Sequence, residues 1–183
     1  MNKSFFEKLI YGGGLLFDLS KWLIVALVLV AIVNTFLVAI FVVDGESMES
    51  NLHDKELVLW AKSSLVYQNA DPKRGEIVLM QYPGDPAHKQ YVKRAIGLPG
   101  ERLSISDGKV YINGSPLSEE YISIDVTTNN DGSWQIPAGQ FFLMGDNRDN
   151  SNDSRFFGPV EKRFILGKAL AVIFPRFLLV KDM

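Results

Sequence analysis

Cysteine is absent from this chain of 183 residues, which excludes disulfides, a thiol nucleophile and thiolate metal sites. The absence is compatible with either side of a membrane. Histidine occurs only as His53 and His88. They are far apart, outside any HExxH pattern and set in polar turns without an evident orienting carboxylate, so zinc hydrolysis and a histidine-activated nucleophile are both disfavoured. A long basic run is also missing. Beyond residue 43 there are 16 basic and 19 acidic residues, and such a surface has no means of neutralising a row of phosphates, so nucleic acid is not an expected partner. No repeat or low-complexity segment is present, and no metal or cofactor is expected.

What is present begins with charge excluded in another way. Trp22 to Val43 is a stretch of 22 residues without a charge, 20 of them apolar and broken only by Asn34 and Thr35. As a helix it would span about 33 Å, enough for the hydrocarbon core of a bilayer. A cleavable signal peptide has an apolar region of about 7 to 15 residues and a small-residue cleavage site, whereas this run is longer and leads straight into VVDGES. The expectation is a retained transmembrane helix over 22–43. It is preceded by a short cytoplasmic segment, 1–21, and followed by one domain over 44–183. Lys3, Lys8 and Lys21 before the run, against Lys55 and Lys62 after it, favour an inside N-terminus.

After the anchor the pattern turns to short runs of strand character: Leu57 to Trp60, Glu76 to Gln81, Gln90 to Ile96, Leu103 to Ser106 and Lys109 to Ile112. Asp107-Gly108 and Asn113-Gly114 are two-residue hairpin signals, and Pro83-Gly84, Pro99-Gly100 and Ile136-Pro137 mark further turns. A mainly β domain follows, a barrel or sandwich, with residues 98–139 read as a small β insertion free of candidate catalytic groups. Ala169 to Phe174 and Phe177 to Val180 are too short to cross a bilayer and read as buried closing strands.

Ser47, in VDGESM, lies four residues past the apolar run. Serine is a poor nucleophile until a base removes its proton. Lysine serves if an apolar, dehydrated setting brings its pKa down from about 10.4, and Lys93 in QYVKRAIGLPGE is so placed. On a strand it shares a face with Tyr91 and Ala95, while Val92, Arg94 and Ile96 face the other way, and a substrate strand covering it would remove its solvent. Taken alone, the Lys93-Arg94 pair is equally an exposed edge lysine guarding against aggregation. GDNRDNSNDSRFFG is by itself a polar loop of Asx turns. It is no calcium loop, because counting from Asp149 puts Ser154 at the glycine position and Val160 at the closing glutamate position. Its specific content is Asp146, Ser151, Asp153 and Arg155.

In their order and spacing, VDGESM, YVKRAIGLPGE, YING and GDNRDNSNDSRFFG resemble the type I signal peptidases, membrane-bound Ser/Lys endopeptidases that remove signal peptides. The resemblance runs from the anchor through Gly158. It implies a signal-peptidase-like β fold, a nucleophile at Ser47, a general base at Lys93, and Ser151 holding the lysine amine. Arg94 with Asp146, and Asp153 with Arg155, look like the family's supporting ion pairs. Val43, Met48, Leu52, Tyr91 and Val92 match positions lining the pocket for the small residue before the cut, as in Ala-x-Ala.

The implied partners are signal-peptide-bearing preproteins and the lipid bilayer, with the catalytic domain on the extracytoplasmic side of the cell membrane. Two departures stand out: Ser50 and Asn51 occupy positions where the family usually has proline and threonine or serine, and Gly45 stands where some members supply an oxyanion-hole hydroxyl. Rival readings are the related self-cleaving repressor fold, for which 21 residues leave no room for a DNA-binding domain, and an inactive membrane-tethered β domain that binds exported peptides.

Overall fold

In the computed structural model, residues 3–123 and 126–180 are described, with side chains from residue 17 onward. The chain divides into two units, 1–37 and 38–183. The first is a single helix, α1 (Lys3–Phe36), whose residues Phe17–Phe36 have a mean hydropathy of 2.1.

The helix stops short of the boundary expected from the uncharged run. Val38–Val42 forms strand β1, antiparallel to β2 (Leu57–Lys62), with Val38 opposite Ala61 and Val42 opposite Leu57. Two signals overlap in one apolar run, and hydropathy cannot separate them. The Val, Ile and Phe of VAIFVV favour a strand as soon as a partner strand supplies hydrogen bonds, so the helical part ends at Phe36.

The second unit is built on an antiparallel sheet. Its remaining strands are β3 (Ile77–Gln81), β4 (Gln90–Gly97), β5 (Arg102–Ser106), β6 (Lys109–Ile112), β7 (Ser115–Pro116), β8 (Gly132–Gln135), β9 (Gln140–Met144), β10 (Val160–Glu161), β11 (Ile165–Phe174) and β12 (Leu178–Leu179). The main sheet has the order β1-β2-β11-β3-β4-β9-β10, with β12 also on β11. Register shifts along β11, against both β2 and β3, are bulges, and bulges bend and twist a sheet. The result is a curled half-barrel.

A second sheet, β7-β6-β5-β8, is formed by residues between Arg102 and Gln135. Its hairpin turns fall at Asp107-Gly108 and Asn113-Gly114, where Asp107, Gly108, Asn113 and Gly114 all have positive φ, as two-residue hairpin turns require. Leu103, Ile105 and Val110 pack with Ile96, Phe142 and Met144 of β4 and β9. The other faces of β4 and β9 contribute Ala95, Phe141 and Leu143 to a separate cluster, so both strands are covered on two sides; β9 accordingly reads as an apolar run, FFLM, whereas β4 carries Lys93 and Arg94 within its buried stretch. The closing segment is less enclosed than expected, since Phe174 and Phe177 are exposed.

Gly167 on β11 sits between β2 and β3, and a Cβ there would run into the carbonyl oxygen of Ala61. Gly167→Ala should therefore lower stability by roughly 1–3 kcal/mol, read as a lower denaturant midpoint. An unchanged midpoint would show that the strands are not so closely packed here.

Candidate active site

The turn that carries Ser47 is held from below by its neighbours. Met48 and Leu52 are buried in the same core cluster as Trp60 and Leu79, and their amphipathic spacing fixes which way the turn faces. The amides of Asn51 and Leu52 donate to the carbonyl of Met48 at 3.0 and 2.9 Å. Gly45 precedes the turn at φ +104°, a conformation side chains rarely adopt, and its amide donates to Asp54 Oδ1 at 2.7 Å. From the other side, the Asn147 amide donates to the Ser47 carbonyl and the Asn147 side chain to that of Glu46, both at 3.1 Å.

Lys93 stands on β4 opposite Val78 of β3. Its Nζ donates to Ser47 Oγ at 2.7 Å and to the Val92 carbonyl at 3.0 Å. Only 1% of Lys93 is exposed, so its dehydration precedes substrate binding; the expected covering strand is not needed for it. Burial pushes the pKa down to about 8, helped by the Arg155 charge and opposed by Asp153 and Asp146. Dehydration wins because an ammonium loses most of its hydration there.

Two ion pairs brace this arrangement. Asp146 takes Arg94 in a two-pronged grip, Nε to Oδ1 at 2.8 Å and Nη2 to Oδ2 at 2.6 Å, with both side chains buried. Arg94 also donates to the Gly75 carbonyl at 2.8 Å and stacks on Tyr121, 4.0 Å from the ring centroid. Asp153 likewise holds Arg155 through Nε at 2.8 Å and Nη2 at 2.9 Å. It accepts the Gly145 amide at 3.0 Å and caps the short helix α3 (Ser154–Phe157) through the Arg155 amide, the one after α2 (Ser63–Val66) in the chain.

Ser151 is brought to the same place, but the hydrogen bond expected between it and the lysine amine is not formed. Its Oγ is buried without a hydrogen-bond partner among the described residues. It lies against Gly145, where a Cβ would meet the Ser151 side chain and the Ser47 carbonyl. Side chains missed by sequence reasoning lie nearby. Arg148 is fully buried and donates to the Gly145 carbonyl at 3.0 Å, to Thr128 Oγ1 at 2.6 Å and to Glu119 at 2.5 and 3.1 Å. Asn51 donates to Asp146. The segment read as free of site groups thus sends Glu119, Tyr121 and Thr128 to the loop. A second arginine inside GDNRDNSNDSR, besides Arg155, was a visible signal for Arg148, but nothing in the sequence marks Glu119 as its partner.

Two cavities flank Ser47. One, of about 110 Å³, is lined by Val43, Met48, Trp60, Leu79, Tyr91 and Val92 among others; Leu52 lies beneath Met48 in the core and does not line it. The other, of about 450 Å³, is bordered by Asp44, Glu46, Asp54, Asn150 and Asn152, with Ser47 and Lys93 at its base. His53 and His88 line neither. His53 lies 3.8 Å from Glu49 and His88 contacts Gln81.

A serine hydroxyl at hydrogen-bond distance from a dehydrated lysine amine, beside a small apolar pocket, is the geometry of a Ser/Lys hydrolase. The family model of signal peptidase, peptidase S26, matches residues 16–174. The chain is 40% identical over 168 residues to a signal peptidase I of Bacillus amyloliquefaciens, covering 86% of this chain and 88% of that one. It is 38% identical over 170 residues to a signal peptidase I of Bacillus licheniformis, covering 87% and 89%. A solved signal peptidase I from Enterococcus faecalis V583 matches 54% of this chain and 96% of its own, at 33% identity and a TM-score of 0.47. The chain belongs to the signal peptidase family, peptidase S26.

The buried lysine makes a stability statement. Between pH 8 and 10.5 the unfolded chain keeps a proton on Lys93 that the folded protein has released, so wild-type stability rises with pH across that window. Below pH 8 the full cost of dehydrating the ammonium, or of neutralising it, is present. Lys93→Met should therefore raise Tm at pH 7 by several degrees, with the gain shrinking as pH climbs from 8 towards 10.5. A variant less stable than wild type at every pH would overturn the assignment of a depressed Lys93 pKa.

Proposed function

We propose that Ser47 and Lys93 carry out the removal of signal peptides for which this family of serine endopeptidases is named, acting as nucleophile and general base. The observation that carries this reading is the 2.7 Å bond between Lys93 Nζ and Ser47 Oγ at a buried amine. Neutral Lys93 takes the hydroxyl proton as Ser47 Oγ bonds to the scissile carbonyl carbon. The carbon–nitrogen bond then breaks, and the lysine gives its proton to the departing amine. Water, deprotonated by the same lysine, cleaves the resulting ester and frees the serine. The Ser47 backbone N–H is the donor for the developing oxyanion, because Gly45 has no hydroxyl to offer. Ser151 Oγ makes no bond to the amine among the described residues; its part in this reading is to close the Gly145 side of the Ser47 turn, where a Cβ would meet both its side chain and the Ser47 carbonyl. Arg94–Asp146 and Arg155–Asp153 hold the strand and the loop that carry these groups.

The apolar cavity takes the residue before the cut. At about 110 Å³ it suits an alanine side chain and excludes an aromatic ring, which supports cutting after Ala-x-Ala. The substrates are preproteins whose signal peptides end in small residues. The second half of the reading concerns place: α1 crosses the cell membrane, residues 1–21 include a short cytoplasmic segment, and the domain after it lies on the extracytoplasmic side. Its support is the apolarity of Phe17–Phe36 and the three lysines at its N-terminal side.

Incubation of the detergent-solubilised enzyme with a preprotein should release the mature chain, and Ser47→Ala should leave it intact. The kcat/KM should rise with pH through about 8 as Lys93 loses its proton. Lys93→Arg should be inactive, since guanidinium stays protonated. Alanine changed to phenylalanine just before the cut should block turnover. Product from Ser47→Ala, or a rate retained by Lys93→Arg, would remove the Ser/Lys mechanism.

Topology has its own test, made simple by a chain with no cysteine. A single cysteine at Asn2 should react with a membrane-impermeant maleimide only after the inner face is opened, and one at the exposed Lys109 in sealed cells. The reverse pattern would invert the orientation.

A further inference from the structure

We propose that Asn51 is a positioning residue that closes a ring of bonds holding the Ser47 hydroxyl against the Lys93 amine. It occupies a position where the resembling pattern has threonine or serine. Its carboxamide nitrogen has two hydrogens, and both are used: Nδ2 donates to the Tyr121 carbonyl at 2.7 Å and to Asp146 Oδ2 at 2.9 Å. The main chain of Asn51 is held as well. Its carbonyl accepts Arg176 Nη2 at 2.6 Å, and Arg176 Nε rests on Glu56 Oε1 at 2.7 Å.

The ring can be followed atom by atom. From Ser47 the chain turns through Met48 to Asn51, and the Asn51 side chain reaches Asp146. Asp146 grips Arg94 with both oxygens. Arg94 is the chain neighbour of Lys93, and Lys93 Nζ returns to Ser47 Oγ. Four segments distant in sequence are thereby joined: the Ser47 turn, the Tyr121 segment, the Asp146 loop and β4. Without the carboxamide the ring opens where the nucleophile meets the base's support. A hydroxyl in its place has one proton and can serve one of the two acceptors.

Charge decides how the site responds to change here. Around Asp146 stand Arg94, Arg148 and Tyr121, and around Lys93 stand Asp146, Asp153, Arg155, Arg94 and Tyr91, with Asp44, Glu46 and Asp54 bordering its cavity. Asn51 is a neutral donor to Asp146, sharing Oδ2 with Arg94 Nη2. An aspartate of the same shape would lose both donors and set a second carboxylate against the first. Like charges so close raise a carboxyl pKa or strain apart, and the added negative field favours the Lys93 ammonium.

The test is the pH dependence of kcat and KM for signal-peptide cleavage by the full chain in detergent, with Asn51→Asp, Asn51→Ala and Asn51→Thr, each rate expressed per molecule folded by circular dichroism. Asn51→Asp should lower kcat by about 10-fold or more, with KM within about 2-fold, and move the acid limb of kcat/KM up by roughly half a pH unit. Asn51→Ala should lower kcat without moving the limb, because it adds no charge, and Asn51→Thr should recover part of the loss through its single donor. A wild-type kcat and limb in Asn51→Asp, whatever its Tm, would overturn the proposal. Should Asn51→Asp not fold, equal kcat in Asn51→Ala, Asn51→Thr and wild type would overturn it, and a graded loss would sustain it. The inference rests on Ser47 and Lys93 as the reacting pair. That reading fails separately, by turnover in Lys93→Arg, whereas the Asn51 inference fails with Lys93→Arg still inactive.

Discussion

The arrangement of this protein turns on the dehydration of one amine. Lys93 lies on a strand whose two faces are both covered, and its Nζ has no solvent to hydrate a charge. Everything that brings the main sheet together contributes to that condition: β3 on one side, β9 on the other, and the Ser47 turn over the end of the side chain. An exposed lysine at the same position would be charged at neutral pH and unable to accept a proton. The curl of the sheet thus keeps Lys93 dehydrated as well as packing the core, since a flat sheet would leave one face of β4 open.

Burying an amine in this way brings neighbours that must be buried too. Arg94 follows Lys93 and faces the other side of β4, so its guanidinium enters the interior wherever Lys93 does. An unpaired buried charge costs several kcal/mol, and Asp146 meets it with two hydrogen bonds while Gly75 takes a third. Arg148 and Arg155 are treated alike, each with a carboxylate partner. These pairs add little net stability against apolar replacements of equal shape, but removing one member is strongly destabilising. Their contribution is to fix the loop 145–155, which bonds the Ser47 turn through Asn147 and carries Ser151.

Much of this was legible in the sequence because the chemistry is stated by residue type. A serine, a lysine with an arginine beside it, and a loop with paired charges can be read in order, and the strands of β2 to β6 follow from runs and turn dipeptides. Three features were not legible. The end of α1 at Phe36 is hidden because an apolar run satisfies a helix in lipid and an edge strand equally well. The Glu119–Arg148 pair joins positions 29 residues apart with no local pattern, and only the tertiary fold brings them together. The burial of Lys93 before any substrate arrives also escapes alternation, because β4 is covered on both faces and its charged residues are the exceptions.

The hydrogen-bond count at Lys93 reinforces what burial demands. An ammonium has three hydrogens to place, whereas a neutral amine has two and one lone pair. In the structure Nζ has two oxygens within bonding distance, Val92 O and Ser47 Oγ. The charged form would therefore leave one N–H without an acceptor in addition to losing its hydration, and each deficit favours release of a proton. On losing that proton the amine can keep its bonds to Val92 O and Ser47 Oγ, with the lone pair where the third hydrogen was. Rotation about the Cε–Nζ bond brings the lone pair round to Ser47, whose hydroxyl then becomes the donor, and returns one N–H to the position without an acceptor. Donor count thus favours the neutral amine but not its orientation towards Ser47, and a change that restored water to the cavity floor would raise the Lys93 pKa towards its ordinary value.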